Sequence, residues 1–412
     1  MSAGLRSAVV AVGDELLLGD IVNGNAAWLG AQLAALGAPV VHSSMVGDTV
    51  ERIVTAVRRA LEDADVVVLT GGLGPTSDDL TREAVAAVGA APLVRRPAIE
   101  TELRAKFAAY GMDMPDAVLQ QADVPEGAVA LDNPVGTAPG LRLEVDGRLL
   151  LAMPGPPHEL AAVFDGMRSE LAARSAAVGL TRTLHCAGMG ESAVAQVVDQ
   201  TITVPDGVDL AYLAGGAVVR VRLTTVAATA AEADAVLAPL VEQLAAALGD
   251  AVFGRDEDTL ARVVVARLAA AGHTVAVAES LTAGLVGATL TEVAGSSAVF
   301  RGGLHVYATD LKASLAGVPQ ELLDEHGAVS APTAESLAEG VRSRLGATYG
   351  LALTGVAGPD PQEGHPPGTL HVAVAGPAGT VSRTLRLPGD RSRVRLLSVT
   401  AGLDLLRRQL QQ

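Results

Sequence analysis

Three side chains in the last third of the chain have the types needed to make and break an acyl bond. Ser280 follows the apolar run Thr274-Val275-Ala276-Val277-Ala278, and Tyr307 and Lys312 follow a second run that ends in Leu304-His305-Val306-Tyr307. A serine hydroxyl attacks a carbonyl only when a base takes its proton, and a partly desolvated lysine can be that base. Lysine usage sharpens the point: of 30 basic residues only Lys106 and Lys312 are lysine. Arginine keeps its proton near neutral pH, so a position that needs a free amine cannot drift to arginine. Plainer roles stand beside these. Ser280 at the start of a helix over Leu281 to Thr291 would serve as an N-cap or, as a nucleophile there, have the helix N-terminus to favour an oxyanion. Lys312 would sit on a solvated helix face, and Tyr307 would pack rather than bridge serine and lysine.

A second constellation lies near the N-terminal end. The run Val66 to Leu69 leads into Thr70-Gly71-Gly72-Leu73-Gly74-Pro75-Thr76-Ser77-Asp78-Asp79. Backbone N–H groups around such a turn suit a phosphate or pyrophosphate, although the loop lacks the lysine of a P-loop and also reads as an ordinary tight turn. Asp78 and Asp79, with Asp14 and Asp48 after two earlier strands, are candidates to bridge a divalent ion to those phosphates. Helix capping is the alternative for Asp78 and Asp79.

These residues need elements to hold them. Val9 to Val12 reads as a strand, Asn25 to Leu36 as a helix ended by Gly37, and Val66 to Leu69 as a buried parallel strand. Residues 171–254 change character, with strands over Thr183 to Ala187, Leu210 to Leu213 and Val218 to Val226 and helices over Ser192 to Val198 and Ala230 to Leu248. The alternation in Val219-Arg220-Val221-Arg222-Leu223 suits a half-exposed sheet. From Leu260 the strand-loop-helix rhythm returns, with strands at Thr274 to Ala278, Leu304 to Tyr307, Gly350 to Leu353 and Thr369 to Ala375. The fold class is therefore α/β: two α/β/α layered domains, 1–170 and 255–412, joined by a small α+β domain at 171–254.

Composition sets limits. At 412 residues the chain exceeds one core, and its 49% hydrophobic content contains no run of roughly 18 apolar residues, so no membrane span is expected. The short apolar stretch after Arg6 reads as a core strand rather than a secretory signal. A single cysteine, Cys186, excludes an intramolecular disulfide and reads as core filler, in keeping with a cytoplasmic location. A net charge of −16 argues against direct nucleic-acid binding.

The motifs taken in order resemble the CinA family. In the C-terminal part these are Ala278-Glu279-Ser280-Leu281-Thr282-Ala283-Gly284, Gly295-Ser296-Ser297, Phe300-Arg301-Gly302-Gly303, Gly327-Ala328-Val329-Ser330, Thr354-Gly355-Val356-Ala357-Gly358-Pro359 and Pro367-Gly368-Thr369. The resemblance implies a nicotinamide mononucleotide deamidase that needs no cofactor, with Ser280 as nucleophile, Lys312 as base, and Tyr307 and Thr354 in support. It implies substrate contacts at Gly284, Ser296, Gly303, Gly355 and Gly358, and a phosphate held by Arg391 or Arg395 from the Gly389-Asp390-Arg391 stretch. The N-terminal part is similar to the family's molybdopterin-binding-type domain through Gly13-Asp14-Glu15-Leu16-Leu17-Leu18-Gly19, Val46-Gly47-Asp48, the glycine loop, Asn133-Pro134-Val135-Gly136-Thr137 and Pro154-Gly155-Pro156-Pro157-His158-Glu159. That similarity implies an ADP-ribose pyrophosphatase using cobalt, nickel or magnesium, with potassium as a further candidate. Its metal ligands would be Asp14, Asp48, Asp78 and Asp79. Its nucleotide contacts would be Gly13, Asn25, Gly71, Gly72, Gly74, Thr76, Gly136, Thr137, Pro154 and Gly155.

The middle segment resembles the family's KH-like domain, but Gly188-Met189-Gly190 is not a G-x-x-G clamp, so RNA binding is not carried over. Small-molecule nucleotides and a second copy in a homodimer are the expected partners. Two other readings remain at this point: an interaction protein in competence or DNA damage, acting through a partner such as a recombinase, and a molybdopterin-binding module. Three departures from the family pattern stand out: Leu281-Thr282-Ala283-Gly284 where Cys-Thr-Gly-Gly is common, Asp360-Pro361-Gln362-Glu363-Gly364-His365 in place of a glycine run, and Gly24 before Asn25.

Overall fold

The computed structural model describes residues 5–215 and 217–411. It divides into two compact units, one running to Leu180 together with Thr224–Val236, the other holding Thr181–Leu223 and the chain from Leu237 onward. Among the described residues no helix is long and apolar enough to cross a membrane.

The first unit contains strands β1 (Ser7–Val12), β2 (Val40–Val46), β3 (Val66–Thr70), β4 (Leu93–Arg95), β5 (Asp123–Pro125), β6 (Val129–Leu131), β7 (Gly140–Val145) and β8 (Arg148–Met153). Six of them form a sheet in the order β2-β1-β3-β8-β7-β6, while β4 and β5 pair separately. Pairing is parallel from β2 through β8 and antiparallel for β7 and β6. Every residue of β1 and β3 is buried, as their unbroken apolar runs predict for strands covered on both faces. Leu29 and Leu33 of helix Gly24–Ala35 pack on one face beside Phe164 of helix Pro157–Arg174, and Ile53 and Val57 of helix Val50–Asp63 pack on the other. Asn23 caps helix Gly24–Ala35 by accepting from the Ala26 N–H, and Asn25 in its first turn bonds to the sheet end.

The middle segment forms a sheet of order β10-β11-β9-β12, from β9 (Val178–Ala187), β10 (Val208–Gly215), β11 (Val218–Ala227) and β12 (Val252–Arg255). Val219, Val221 and Leu223 are buried and Arg220 and Arg222 exposed, as the alternation requires. Cys186 is fully buried on β9, and burial pushes its thiol up to about 11, so it packs as an inert apolar group.

The C-terminal sheet has the order β14-β13-β15-β16-β17, from β13 (Val275–Glu279), β14 (Phe300–His305), β15 (Tyr349–Gly355), β16 (Thr369–Gly376) and β17 (Gly379–Arg386). β13 is parallel to both β14 and β15, and β16 and β17 turn antiparallel. Helices Leu260–Ala271, Leu285–Thr291 and Arg391–Gln409 cover one face, and Gln320–His326 and Ala331–Arg344 the other. Both large sheets therefore begin on an inner strand whose neighbours on either side come next in the chain. A crevice opens at the carboxyl end of each of these two strands, β1 and β13, one lined by Val12 and Gly13 and the other by Ser280 and Leu281.

Two sequence expectations change here. The helix expected over Leu281 to Thr291 begins only at Leu285, after Gly284 in the left-handed region at φ 101°. The strand expected to reach Tyr307 stops at His305.

Candidate active sites

Ser280, Tyr307, Lys312, Thr354, Gly355, Gly358 and Arg391 line one cavity of about 290 Å³ at the carboxyl ends of β13, β14 and β15. Lys312 is 2% exposed. It lies on helix Thr309–Ser314, and its Nζ donates to the Val306 carbonyl at 2.8 Å and lies 3.4 Å from Ser280 Oγ. Burial holds this amine below the ordinary lysine range, with Glu363 and Asp310 pulling the other way. A solvated surface role for Lys312 is thus excluded by its place in the fold.

Ser280 is not a helix cap. It sits on the tight turn between β13 and Gly284, anchored by its own N–H to the Leu353 carbonyl at 3.0 Å. The donors of the following helix are already engaged by the wholly buried Glu279. Its Oε2 accepts from Gly284 N at 2.9 Å and Val286 N at 3.1 Å, and its Oε1 from Gly287 N at 3.0 Å. The expectation that this helix N-terminus would hold an oxyanion is therefore corrected: a protein carboxylate occupies it.

Tyr307 does not bridge serine and lysine. Its side chain is 58% exposed and its hydroxyl accepts from Arg391 Nη2 at 2.9 Å, while Lys312 reaches only its backbone oxygen, at 3.5 Å. Arg391 also donates through Nη1 to the Gly358 carbonyl at 2.8 Å, so its guanidinium spans the cavity rim. Thr354 is buried and ties β15 to the Ala328 carbonyl at 2.7 Å.

Arg395 lies outside this cavity. It donates to the carbonyls of Leu281 and Thr282 at 3.0 and 3.1 Å and braces the serine turn from behind. Gly284, Ser296 and Gly303 also lie outside the lining. Gly303 has no room for a side chain because a Cβ there would strike Val277 on the neighbouring strand, and Ser296 is buried in a short 3-10 turn.

The second crevice is a cavity of about 620 Å³ at the carboxyl ends of β1, β3 and β8. Gly13, Asn25, Gly71, Gly72, Gly74, Thr137, Pro154 and Gly155 line it. Gly71, at φ 103°, passes so close to the Val12 carbonyl that no Cβ fits between them. Arg82, 2% exposed, donates from beneath to the carbonyls of Leu73 and Gly74, which fixes the loop. Asn25 Nδ2 donates to Thr70 Oγ1 at 2.9 Å and to the Gly155 carbonyl at 2.7 Å, joining the ends of β3 and β8.

Thr76 and Gly136 are outside this lining. Thr76 donates its N–H and hydroxyl to Asp79 Oδ2 at 2.8 and 2.5 Å, a bond that closes the loop on itself. Gly136 offers its carbonyl to Lys106 at 3.2 Å. The donor is the second lysine, whose ammonium also reaches the Asn133 carbonyl at 2.9 Å and Glu102 at 2.7 Å, one acceptor for each of its three N–H groups.

The four aspartates do not form the expected ligand set. Among the described residues no three His, Cys, Asp or Glu side chains converge on a metal-sized site. Asp14 starts a helix outside the cavity and gives only its backbone N–H to Asp48, at 2.8 Å. The cavity wall nevertheless carries Glu15, Asp48, Asp78, Asp79 and Glu159, and among the described residues lining it none is Lys, Arg or His. Burial raises the Asp48 carboxyl, the Asp14 N–H opposes that, and repulsion by Asp14, Glu15 and Asp78 adds to it. This donor set fits a divalent ion that brings phosphate oxygens with it, not one caged by protein alone. The sequence reading missed Glu279 because it began the helix too early. It also missed Gln121, Ile21 and Val22 as wall residues, since no motif marks them.

The chain matches the family models described as "Probable molybdopterin binding domain" over residues 8–173, "Damage-inducible protein CinA KH domain" over 181–254 and "CinA C-terminal domain" over 257–410. It is 50% identical over 418 residues to a "CinA-like protein" of Frankia casuarinae, covering 98% of this chain and 96% of that one. It is 43% identical over 419 residues to a "Putative competence-damage inducible protein" of Symbiobacterium thermophilum, covering 98% of each. A crystal structure titled as the protein CinA with unknown function from Thermoplasma acidophilum is 37% identical and covers 41% of this chain and 99% of its own, with a TM-score of 0.39.

Proposed function

This chain belongs to the CinA family, and from that premise we propose that it is a hydrolase with two sites, a nicotinamide mononucleotide deamidase at the C-terminal end and an ADP-ribose pyrophosphatase at the N-terminal end. One observation carries the first activity: a buried lysine amine stands 3.4 Å from a serine hydroxyl inside a cavity. Once the amine has shed its charge, its lone pair can take the Ser280 proton as Oγ attacks the carboxamide carbon. The resulting Lys312 ammonium then lies beside the developing negative oxygen, and its proton passes to the carboxamide nitrogen, which leaves as ammonia when the C–N bond breaks. Water, activated by the same amine, splits the acyl-serine and releases nicotinic acid mononucleotide. Arg391 at the rim suits the substrate phosphate, because its two donors can leave Tyr307 and Gly358 for phosphate oxygens.

In the N-terminal crevice the glycine loop offers backbone amides to a diphosphate, and water would split ADP-ribose to AMP and ribose 5-phosphate. A divalent ion held by Asp48 and Asp78 together with phosphate oxygens would offset the wall's negative charge and polarise a phosphoryl group.

Ammonia release from nicotinamide mononucleotide, measured for the parent, Ser280→Ala and Lys312→Arg, tests the central claim. Both variants should lose activity by roughly 10²-fold or more. Lys312→Arg keeps the charge and removes the deprotonable amine, so full activity in that variant refutes the base assignment.

A further inference from the structure

The first unit exposes four large apolar side chains within six positions: Leu17, Leu18, Ile21 and Val22 are 51, 76, 57 and 89% exposed. Scattered apolar residues on a surface need no explanation, but a pair at the mouth of a cavity does, and of these four Ile21 and Val22 stand there, while Leu17 lines a separate hollow with His42 and Met45. The pair is continuous with the proposed diphosphate crevice, since Leu16, Ile21 and Val22 line the same cavity as Gly71, Gly72 and Gly74. The crevice thus has two chemically different kinds of wall. One is the backbone-rich loop after β3, and the other is an apolar lip on the segment that follows β1.

Its volume of about 620 Å³ exceeds what a diphosphate alone would fill. The segment is also held in place rather than trailing free. Asp20 N donates to the Glu15 carbonyl at 3.0 Å, Gly24 N to the Val22 carbonyl at 2.7 Å, and Asn23 caps the next helix. From this geometry we infer that Leu16, Ile21 and Val22 form the platform for the flat face of the ligand's nucleobase, while the glycine loop holds its phosphates. The inference rests on the proposed diphosphate site and adds the part of the ligand that lies beyond it.

An apolar platform reads area and flatness, not the hydrogen-bonding edge of a base. Adenine and hypoxanthine diphosphates should therefore bind within a few-fold of one another. Because Ile21 and Val22 are exposed, replacing them leaves the core intact and the variant folded.

The test is calorimetric titration of the full chain with magnesium present, comparing ADP, IDP and inorganic pyrophosphate on the parent and on the double variant Ile21→Ser/Val22→Ser. The expected result is a fall of about tenfold in ADP and IDP affinity, with pyrophosphate affinity unchanged. Equal losses for ADP and pyrophosphate would overturn the inference, since the segment would then only shape the loop. No loss for either would overturn it too. If the double variant then sedimented at lower mass than the parent, the lip would be a contact between copies instead. A parent that binds neither ADP nor pyrophosphate would sink the diphosphate site itself, a failure distinct from that of the platform.

Discussion

Lys312 has to shed a proton before it can accept one, and its surroundings decide at what pH that happens. Burial against Val306 and Ser280 lowers its pKa from the ordinary 10.5, while Glu363 and Asp310 push it back up. Deamidase kcat/KM should accordingly rise with pH along a limb whose midpoint lies below 10.5, and a limb at the ordinary lysine value would exclude Lys312 as the base. Stability follows the same sign. The folded amine binds its proton less tightly than the unfolded one, so this group opposes folding most in acid and ceases to do so as pH rises through its folded pKa toward 10.5. The lysine was legible from composition alone, because a chain that writes nearly all its cations as arginine singles out each exception. The serine's surroundings were not, because two of the four residues after it, Leu281 and Ala283, depart from the pattern that the resemblance offers. Ala283 stands where the family commonly has glycine, and its φ of 49° lies in the left-handed region that costs alanine about 1 kcal/mol. Ala283→Gly relieves that strain but loosens the unfolded chain, so a net gain of roughly 0.5 kcal/mol is expected in urea unfolding. A net loss would mean that the turn draws its shape from the methyl group.

At the scale of elements, the serine turn is held from one side by a neighbour in sequence and from the other by a helix more than a hundred residues away. Glu279 takes three N–H groups at the start of helix Leu285–Thr291, and Arg395 takes the carbonyls of Leu281 and Thr282 from helix Arg391–Gln409. Replacing Glu279 by glutamine substitutes a donor for half of an acceptor and leaves at least one buried N–H unpaired. The expected cost is about 3 kcal/mol in urea unfolding with an unchanged m-value, and deamidase activity should fall even where the variant is fully folded. A variant as stable as the parent would show that those N–H groups find other partners. The strands β1, β3 and β13 could be read directly, since an unbroken β-branched run buried on two faces has few other places to go. The start of helix Leu285–Thr291 could not, because Leu281 and Thr282 continue a plausible helical pattern, while the distant arginine binds their carbonyls and the carboxylate of Glu279 binds the N–H groups from Gly284 onward. The same limit separated Thr76 and Gly136 from the cavity their motifs suggested. Their polar groups close local loops, which sequence order alone does not reveal.

At the scale of the whole molecule, the net charge of −16 is reproduced in miniature at the crevice that would have to receive a diphosphate. Five carboxylates and no basic side chain, among the described residues, line that wall. An anionic ligand therefore meets repulsion at long range from the molecule and at short range from the site, and backbone amides alone offer partial charges against full ones. The arrangement makes sense if a divalent cation enters with the ligand, and Asp48 is where this can be read. Its carboxyl is raised by burial and, against the pull of the Asp14 N–H, by repulsion from Asp14, Glu15 and Asp78. Ionised Asp48 consequently destabilises the fold above its own pKa, and that cost disappears as pH falls through it. Asp48→Asn should then raise the thermal midpoint of the metal-free protein near neutral pH, because the amide oxygen still accepts the Asp14 N–H without carrying charge. The same change should weaken magnesium-dependent binding of ADP-ribose, and a chelator should abolish that binding in the parent. Measured together by thermal melts and calorimetry, a gain in stability coupled to a loss of binding marks a carboxylate kept for function at the expense of the fold. Binding of ADP-ribose that survives chelation undiminished would remove the cation from the picture and leave the five carboxylates without a purpose.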